Sequence, residues 1–264
     1  MTVAVAIKIN NGVVLATDSA TAIGEMNEES ARIHYTYYNA DKLFNLKKGK
    51  SLGCLTWGDG SINNVSISTL TKDFRSNLEI DTINVKDITN QFITFLEDFI
   101  GESHDVNVGF LIVGYSESED YNPEMYCIEI KEGIIGEINN LSNENFSISW
   151  FGEYDLLSRF IFGIDSNIEN FLIGEGFDEE DVIEMIKLSK ENFSLPLGVP
   201  DMPIQDAIDL ADFLVDICKT ASKFIPGPQV IGGPTDIAVI TKHEGFRWIK
   251  RKHYYSQELN ILND

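Results

Sequence analysis

Thr2 carries the first side chain in this sequence that could act as a nucleophile. A threonine hydroxyl is weak in that role, and one way to activate it is to use its own α-amine as the general base. A free α-amine has a pKa of about 7.7–8.0, which suits proton transfer near neutral pH. We therefore expect Met1 to be removed and Thr2 to become the nucleophile. The alternative is that Thr2 is an ordinary β-branched strand residue.

A β-hairpin predicted at the start of the chain would bring an acidic residue to Thr2. The segments Thr2 to Ile9 and Val13 to Thr17 alternate in a strand pattern, and the Asn11-Gly12 turn between them is typical of a hairpin. Asp18 directly follows the second strand. Because the turn folds one strand back on the other, we expect the Asp18 carboxylate to lie near the start of the first strand.

The order of the remaining predicted elements gives the fold class. Alternating apolar positions predict further strands at Arg32 to Tyr38, Lys42 to Leu46, Ser51 to Trp57, Val106 to Tyr115, Glu124 to Ile130, Thr235 to Thr241 and Phe246 to Lys250. Apolar positions three and four residues apart predict helices at Ser61 to Leu78, Val85 to Ile100, Glu153 to Phe162, Glu179 to Lys190 and Ile204 to Phe224. This order predicts an α+β fold, a four-layer αββα sandwich of two antiparallel sheets flanked by helices. No linker divides the chain, so residues 1–264 are expected to form a single domain.

The composition excludes some partners. Forty-two acidic against twenty basic residues give a net charge of −22, which repels nucleic acid and anionic membrane surfaces. The acidity favours solubility, and steering of a substrate is the alternative. Cys54, Cys127 and Cys218 are widely spaced and are expected to be reduced core residues. The N-terminus lacks a secretory pattern and no apolar run reaches the roughly 20 residues of a membrane helix, so a cytoplasmic location is expected.

Four stretches resemble one known family when they are taken in order. They are Asn11 to Ser19 (NGVVLATDS), Asp41 to Leu43 (DKL), Leu52 to Gly60 (LGCLTWGDG) and Gly232 to Ile240 (GGPTDIAVI). They resemble stretches of proteasome β-subunits and bacterial proteasome-like peptidases, which are N-terminal-nucleophile hydrolases. The resemblance implies the Ntn-hydrolase type of sandwich. It also implies an extra helical insertion at about 167–203, by comparison with small bacterial members.

The resemblance implies a role for each candidate site residue. The Asp18 carboxylate would orient Lys42, whose ammonium group lowers the cost of deprotonating the Thr2 hydroxyl. The backbone N–H at the Trp57-Gly58 turn would stabilise the oxyanion of the acyl-transfer intermediate. This chemistry requires no metal and no organic cofactor. The alternatives are that Asp18 caps a turn and that Lys42 is a surface lysine.

The family pattern is incomplete in this chain. No serine stands at Trp150-Phe151-Gly152, where the family has one near the threonine amine, and the family's Asp and Ser before the C-terminal glycine pair align with Pro228 and Ile231. Two functions therefore stay open: a threonine-type peptidase or amidohydrolase, and a catalytically silent structural or binding subunit. Cleavage of a small non-peptide amide is a third.

The resemblance also implies partners and a feature at the rim of the site. The expected partners are a peptide or protein substrate, further copies of the chain in a homo-oligomeric ring, and an ATP-dependent unfoldase. The separation of Asp18 and Lys42 is longer than in the family, which places an insertion at about 25–35 at the rim. The tyrosines at its end, Tyr35, Tyr37 and Tyr38, are interpreted as half-buried strand residues, with contact to a neighbouring subunit as the alternative.

Overall fold

The computed structural model describes residues 2–27, 30–79, 82–101, 103–117, 121–152 and 155–252. Its strands are β1 (Val3–Ile9), β2 (Gly12–Thr17), β3 (Thr21–Asn27), β4 (Ser30–Tyr37), β5 (Leu43–Asn45), β6 (Leu52–Gly58), β7 (Ser61–Ile62), β8 (Val65–Ser66), β9 (Val108–Gly114), β10 (Glu124–Lys131), β11 (Ile134–Ile135), β12 (Asn139–Asn140), β13 (Ser147–Gly152), β14 (Asp236–Thr241) and β15 (Gly245–Lys250). Its helices are α1 (Ile67–Asn77), α2 (Val85–Ile100), α3 (Asp155–Phe162), α4 (Ile168–Gly174), α5 (Glu179–Phe193) and α6 (Ile204–Ser222).

Two antiparallel sheets organise these strands. One has the order β13-β1-β2-β14-β15, and the other has the order β11-β10-β9-β6-β5, with β12 paired to β10. The predicted hairpin forms the centre of the first sheet, where Ala4 lies opposite Thr17 and Ile9 opposite Gly12. The mixed α and β content and the antiparallel sheets predicted from the sequence are confirmed.

The start of β1 is buried on both of its faces. Ala4 and Ala6 belong to a cluster that includes Leu55 and Leu111 of the second sheet. The alternate residues of β1 are also fully buried, and β1 is in contact with α6. On the second sheet, α2 contacts β9 and β10. Because a strand covered on both faces has little freedom to move, β1 and β2 provide a fixed frame for the residues at their ends.

The helix predicted from Ser61 begins later, at Ile67, so the prediction is wrong for its first turns. Residues 61–66 instead form the short hairpin of β7 and β8. Asn63 and Asn64 both have positive φ, 46° and 66°, which is the conformation of a tight hairpin turn that asparagine tolerates. Ser66 then caps α1 through a 3.1 Å hydrogen bond that its hydroxyl accepts from the Thr69 amide.

The strand predicted at Arg32 to Tyr38 is one arm of a two-stranded hairpin, β3 and β4. Tyr35 is 68% exposed and Tyr37 is 57% exposed, and their rings lie 6.5 Å apart. Tyr38 is exposed as well. The interpretation of these tyrosines as half-buried is therefore wrong, because the hairpin forms a separate two-stranded sheet.

The chain divides into two compact units, one of residues 1–152 with 200–264 and one of residues 153–199. The second unit contains α3, α4 and α5, and Leu195 donates its amide to the Ile161 carbonyl at 2.8 Å. In α5, Val182 is fully buried, whereas Met185 and Leu188 are half exposed. Across the residues that the structure describes, no helix has the length and apolar character needed to cross a membrane.

Candidate active site

The Asp18 carboxylate is the centre of the candidate site, and it is fully buried. Its Oδ1 accepts hydrogen bonds from the Lys42 ammonium at 2.6 Å and from the Val3 amide at 3.2 Å. Its Oδ2 accepts from the amides of Ala20 and Gly232, both at 3.0 Å. Four donors on two oxygens hold the carboxylate in one orientation, because no rotation could preserve all four contacts.

The hairpin register explains why Asp18 lies beside Thr2. The Asp18 amide donates to the Val3 carbonyl at 3.2 Å, and the Thr17 hydroxyl donates to the same carbonyl at 3.0 Å. Thr2 stands directly before β1 and is 3% exposed. The Val3 nitrogen is bonded to the Thr2 carbonyl carbon, so the peptide group that follows Thr2 and the Lys42 ammonium share one acceptor, Asp18 Oδ1. The structure thus brings Thr2, Asp18 and Lys42 together.

Lys42 is held from its backbone as well as from its side chain. Its carbonyl accepts the Thr56 amide of β6 at 2.9 Å, which fixes the residue at the start of β5. Burial lowers the pKa of the Lys42 ammonium below its usual 10.5, and the Asp18 carboxylate opposes this shift. The nearby Lys252 lowers the pKa further. The result is a buried cation whose charge depends on its contact with Asp18.

A second buried ion pair lies next to the first. The Lys252 ammonium contacts Asp236 Oδ2 and lies 3.8 Å from Asp41 Oδ1, while the Lys252 amide donates to Asp236 Oδ1 at 3.0 Å. Asp236 lies opposite Thr17 in the sheet, so β14 places it one strand away from the candidate site. The role of Lys252 could not be predicted from the sequence, because this residue ends a basic run that is typical of a solvated surface. No signal in that run separates it from its neighbours.

Gly58 ends β6 in a fixed turn. It has φ +91°, and a Cβ there would lie 2.4 Å from the Asn107 carbonyl oxygen. Asp59 and Asn107 then exchange two hydrogen bonds of 2.8 and 2.6 Å. Because amides alternate sides along a strand, the Gly58 N–H faces the same side as the Thr56 amide, which bonds to Lys42.

An aromatic pair lies close to Thr2 at the place where a serine was sought in the sequence. The rings of Trp57 and Phe151 stack with centroids 4.2 Å apart and an angle of 15°. Gly152, opposite Val3 in the sheet, has φ +85°, and a Cβ there would lie 2.0 Å from the Thr2 carbonyl oxygen. Gly152 therefore lets β13 approach Thr2, and Phe151, the residue before it, lies opposite Ala4 in the sheet.

The C-terminal glycine pair reaches the site through the backbone. The Gly232 amide donates to Asp18, and the Gly232 carbonyl accepts a hydrogen bond from the Ser19 amide at 2.9 Å. The Ser19 hydroxyl donates to the Pro234 carbonyl at 2.7 Å. The Ile231 carbonyl accepts the Ser222 hydroxyl at 3.2 Å, which ties this turn to α6. The turn contributes backbone amides and carbonyls to the site.

Within the described ranges, no group of three or more His, Cys, Asp or Glu residues is arranged to hold a metal ion. The three cysteines are buried, and burial raises the pKa of the Cys127 thiol to about 12. Burial raises the pKa of the Cys54 thiol as well, which disfavours the thiolate form at both positions.

Two solved structures have a similar fold. One is Anbu (ancestral beta-subunit) from Yersinia bercovieri, at 14% identity and a TM-score of 0.51, where the alignment covers 96% of this chain and 89% of that chain. The other is an Anbu (Gly-1) mutant from Hyphomicrobium sp. strain MC1, at 14% identity and a TM-score of 0.53, covering 99% of this chain and 93% of that chain. These similarities show a proteasome-like fold.

The comparisons correct the family suggested by the sequence. No protein-family model matches the chain, and no curated protein matches it. The structural neighbours are Anbu proteins, which are proteasome-like but differ from the proteasome β-subunits, so assignment to that family is wrong. The four short stretches describe a shared arrangement of strands and turns, and such short segments do not distinguish related families.

Proposed function

We propose that this chain is an N-terminal threonine hydrolase that cleaves amide bonds in peptides, with Thr2 as its nucleophile. The observation that carries the proposal is the sharing of Asp18 Oδ1 between the Lys42 ammonium and the Val3 amide, at 2.6 and 3.2 Å. This bond pair joins a buried cation to the backbone of Thr2. A surface lysine or a simple turn cap would not require a fully buried carboxylate with four donors.

The reaction depends on a free α-amine at Thr2. That amine accepts the proton of the Thr2 hydroxyl as Oγ1 attacks the substrate carbonyl carbon, and the carbonyl oxygen becomes an oxyanion that accepts a hydrogen bond from the Gly58 N–H. The protonated amine then gives its proton to the leaving nitrogen, and an ester to Thr2 remains. The amine next activates water, which attacks the ester, releases the acid and restores the hydroxyl.

Lys42 and Asp18 have separate roles in this proposal. The Lys42 ammonium stabilises negative charge as it develops on the Thr2 oxygen, and its effect is enlarged by the low polarity of a buried site. Asp18 keeps the ammonium charged and in place. Asp236 and Lys252 form the neighbouring ion pair, and their opposite charges offset each other.

The aromatic pair supports a second candidate, a catalytically silent binding or structural subunit. The rings of Trp57 and Phe151 stack, Phe151 directly precedes the Gly152 that lies against Thr2, and Thr2 itself is 3% exposed. A substrate would have to displace groups that cover Thr2. In that case the fold would serve only to bind a partner or to assemble with other subunits, without catalysis.

Several features support a layered, oligomeric protein. The contacts of α6 with the first sheet and of α2 with the second, together with the shared cluster between the sheets, support the four-layer αββα arrangement. Large apolar side chains lie exposed on the unit of residues 153–199, and exposed apolar patches mark interfaces between proteins. We propose that this unit contacts further copies of the chain. Native mass spectrometry would show a single monomeric mass if this is wrong.

The state of the Thr2 nitrogen and its reactivity decide between the candidates. The protein is produced with a removable segment before Thr2, and N-terminal sequencing verifies that cleavage leaves Thr2 first. It is then treated with an electrophilic peptide probe directed at threonine, and the adduct is mapped by mass spectrometry. The uncleaved protein and Thr2→Ala are the matched controls.

An adduct on Thr2 in the cleaved protein, and in neither control, supports the hydrolase. Absence of an adduct on a verified free Thr2 excludes the proposed chemistry and leaves the silent subunit. Thr2→Ser should retain labelling, because it keeps both the hydroxyl and the amine.

A further inference from the structure

A cleft of about 610 Å³ lies outside the Thr2 site and has a charge opposite to that of the chain. Seven lysine and arginine side chains line it against four carboxylates, whereas the whole chain has 20 basic and 42 acidic residues. The cations come from three separate parts of the chain: Lys72 and Arg75 of α1, Lys48 and Lys50 after β5, and the β14–β15 hairpin with the residue after it. Basic residues drawn together from distant segments favour an anionic ligand.

Two of these cations have no partner in the described part of the chain. Lys50 pairs with Glu117 at 3.0 Å, and Lys72 pairs with Asp41 at 3.2 Å. Arg75 is half-buried and Arg247 is exposed, and the described residues supply neither guanidinium group with an ion pair or a hydrogen bond. An unpaired, partly desolvated arginine is available to bind carboxylates.

The cleft follows the edges of two strands. Gly245 to Trp248 of β15 and Leu43 to Asn45 of β5 line it as consecutive residues. Since neighbouring side chains point to opposite faces, a cleft lined by consecutive residues meets a strand along its edge. Within the described ranges, β15 pairs only with β14 and β5 only with β6. The Phe246 amide already donates to the Lys50 carbonyl at 3.2 Å, so the open part of the β15 edge begins at Arg247. Open strand edges offer backbone donors and acceptors to an added strand.

Apolar rings complete the cleft. Phe246 and Trp248 pack edge to face with centroids 5.1 Å apart, and the Arg251 guanidinium lies 4.7 Å from the Trp248 ring. Tyr115 and Phe44 also line the cleft. Phe44, Tyr115 and Phe246 are buried, whereas Lys72 and Arg247 are exposed. A strand in which apolar and acidic side chains alternate would match this combination of rings and cations.

We propose that this cleft binds an extended peptide whose acidic and apolar residues alternate, as a strand added along β15. The cleft is lined by Asp236 and Asp41 of the neighbouring ion pair, but its lining does not include Thr2, Asp18, Lys42 or Gly58. Its occupation therefore does not depend on Thr2 acting as a nucleophile.

The test measures binding of fluorescent peptides by anisotropy to the intact chain. A short peptide of alternating Glu and Val should bind, and the same peptide with Lys in place of Glu should not. A version with Pro in place of alternate Val loses backbone N–H donors and should bind about tenfold more weakly. Inorganic phosphate and duplex DNA are added as competitors.

The charge-reversal variant Arg75→Glu/Arg247→Glu should weaken binding of the acidic peptide about tenfold or more, through two lost contacts and two new repulsions. Lys86→Glu/Lys223→Glu, an equal change of charge at exposed residues outside the cleft, should change it less than about twofold. The milder Arg75→Gln/Arg247→Gln gives an independent measurement that does not add negative charge.

Three outcomes would overturn the proposal. Equal weakening by the two charge-reversed variants would show that only net charge matters. Equal binding of the proline peptide would exclude strand addition. Displacement by phosphate or by DNA at concentrations similar to that of the peptide would show a general anion site.

Discussion

The coupling between Asp18 and Lys42 can be measured as a free energy, and the structure predicts its size. In Asp18→Asn one carboxylate oxygen becomes an NH₂ group that faces two donors, so two hydrogen bonds are lost whichever way the amide is oriented. The Lys42 ammonium, whose side chain is 7% exposed, also loses its countercharge. Removing one partner of a buried pair costs about 3–5 kcal/mol, so we expect a loss of about 4 kcal/mol of unfolding free energy.

The converse change should cost less. In Lys42→Met the Asp18 carboxylate keeps its three backbone N–H donors, so we expect a loss of about 2 kcal/mol. In the double variant no uncompensated Lys42 charge remains, and the total loss should be near that of Asp18→Asn alone. The resulting coupling energy is about 2 kcal/mol.

Urea unfolding of the four proteins, with linear extrapolation to water, measures this cycle. The matched control is the ion pair of Lys50 and Glu117, in which the ammonium nitrogen lies 3.0 Å from the carboxylate oxygen. The side chains of this pair are 37% and 42% exposed. Its coupling should be much smaller than that of Asp18 and Lys42, since solvent screens it. If the cycle for Asp18 and Lys42 gives a value no larger than the control, the buried pair is not the coupled unit that the proposal requires.

Other predictions concern the same site. The pKa of Lys42 is lowered, so its ammonium group loses its charge as the pH rises through a value below 10.5. Labelling of free Thr2 should fall over that pH range, and in Lys42→Arg it should persist to higher pH because the guanidinium group stays charged. Identical pH profiles for the two proteins would exclude a role for the charge of Lys42. Gly152→Ala should lower the unfolding free energy, measured in urea, by about 3 kcal/mol or more, because the added Cβ would meet the Thr2 carbonyl oxygen. The control is Gly101→Ala, where φ is +53° and no atom lies within 4 Å of the added Cβ. It should lower the unfolding free energy by about 1–2 kcal/mol. Equal costs would show that φ strain alone acts at both positions. Phe151→Ser should lower stability by about 1–2 kcal/mol and speed labelling of Thr2, and an unchanged rate would show that the stacked rings do not restrict access.

The local part of the fold could be predicted because local physics determines it. The Asn11-Gly12 turn and the alternation on either side fix the first hairpin, and the hairpin alone brings Asp18 to the start of β1. The helices Val85 to Ile100 and Ile204 to Ser222 follow from their apolar spacing. The Asn63-Asn64 turn was missed because apolar spacing around it fitted a helix, while the left-handed conformation of both asparagines is a matter of turn chemistry.

Only the tertiary structure determines which groups from distant parts of the chain come into contact. Gly232 donates to Asp18 across 214 positions of the chain, and Lys252 reaches both Asp236 and Asp41. Trp57 and Phe151 come together because β6 and β13 belong to different sheets that pack on one cluster. The sequence by itself determined the hairpin, the alternation of elements and the residues available for chemistry. Pairing between distant segments depends on the packing of whole sheets, and no local pattern encodes it.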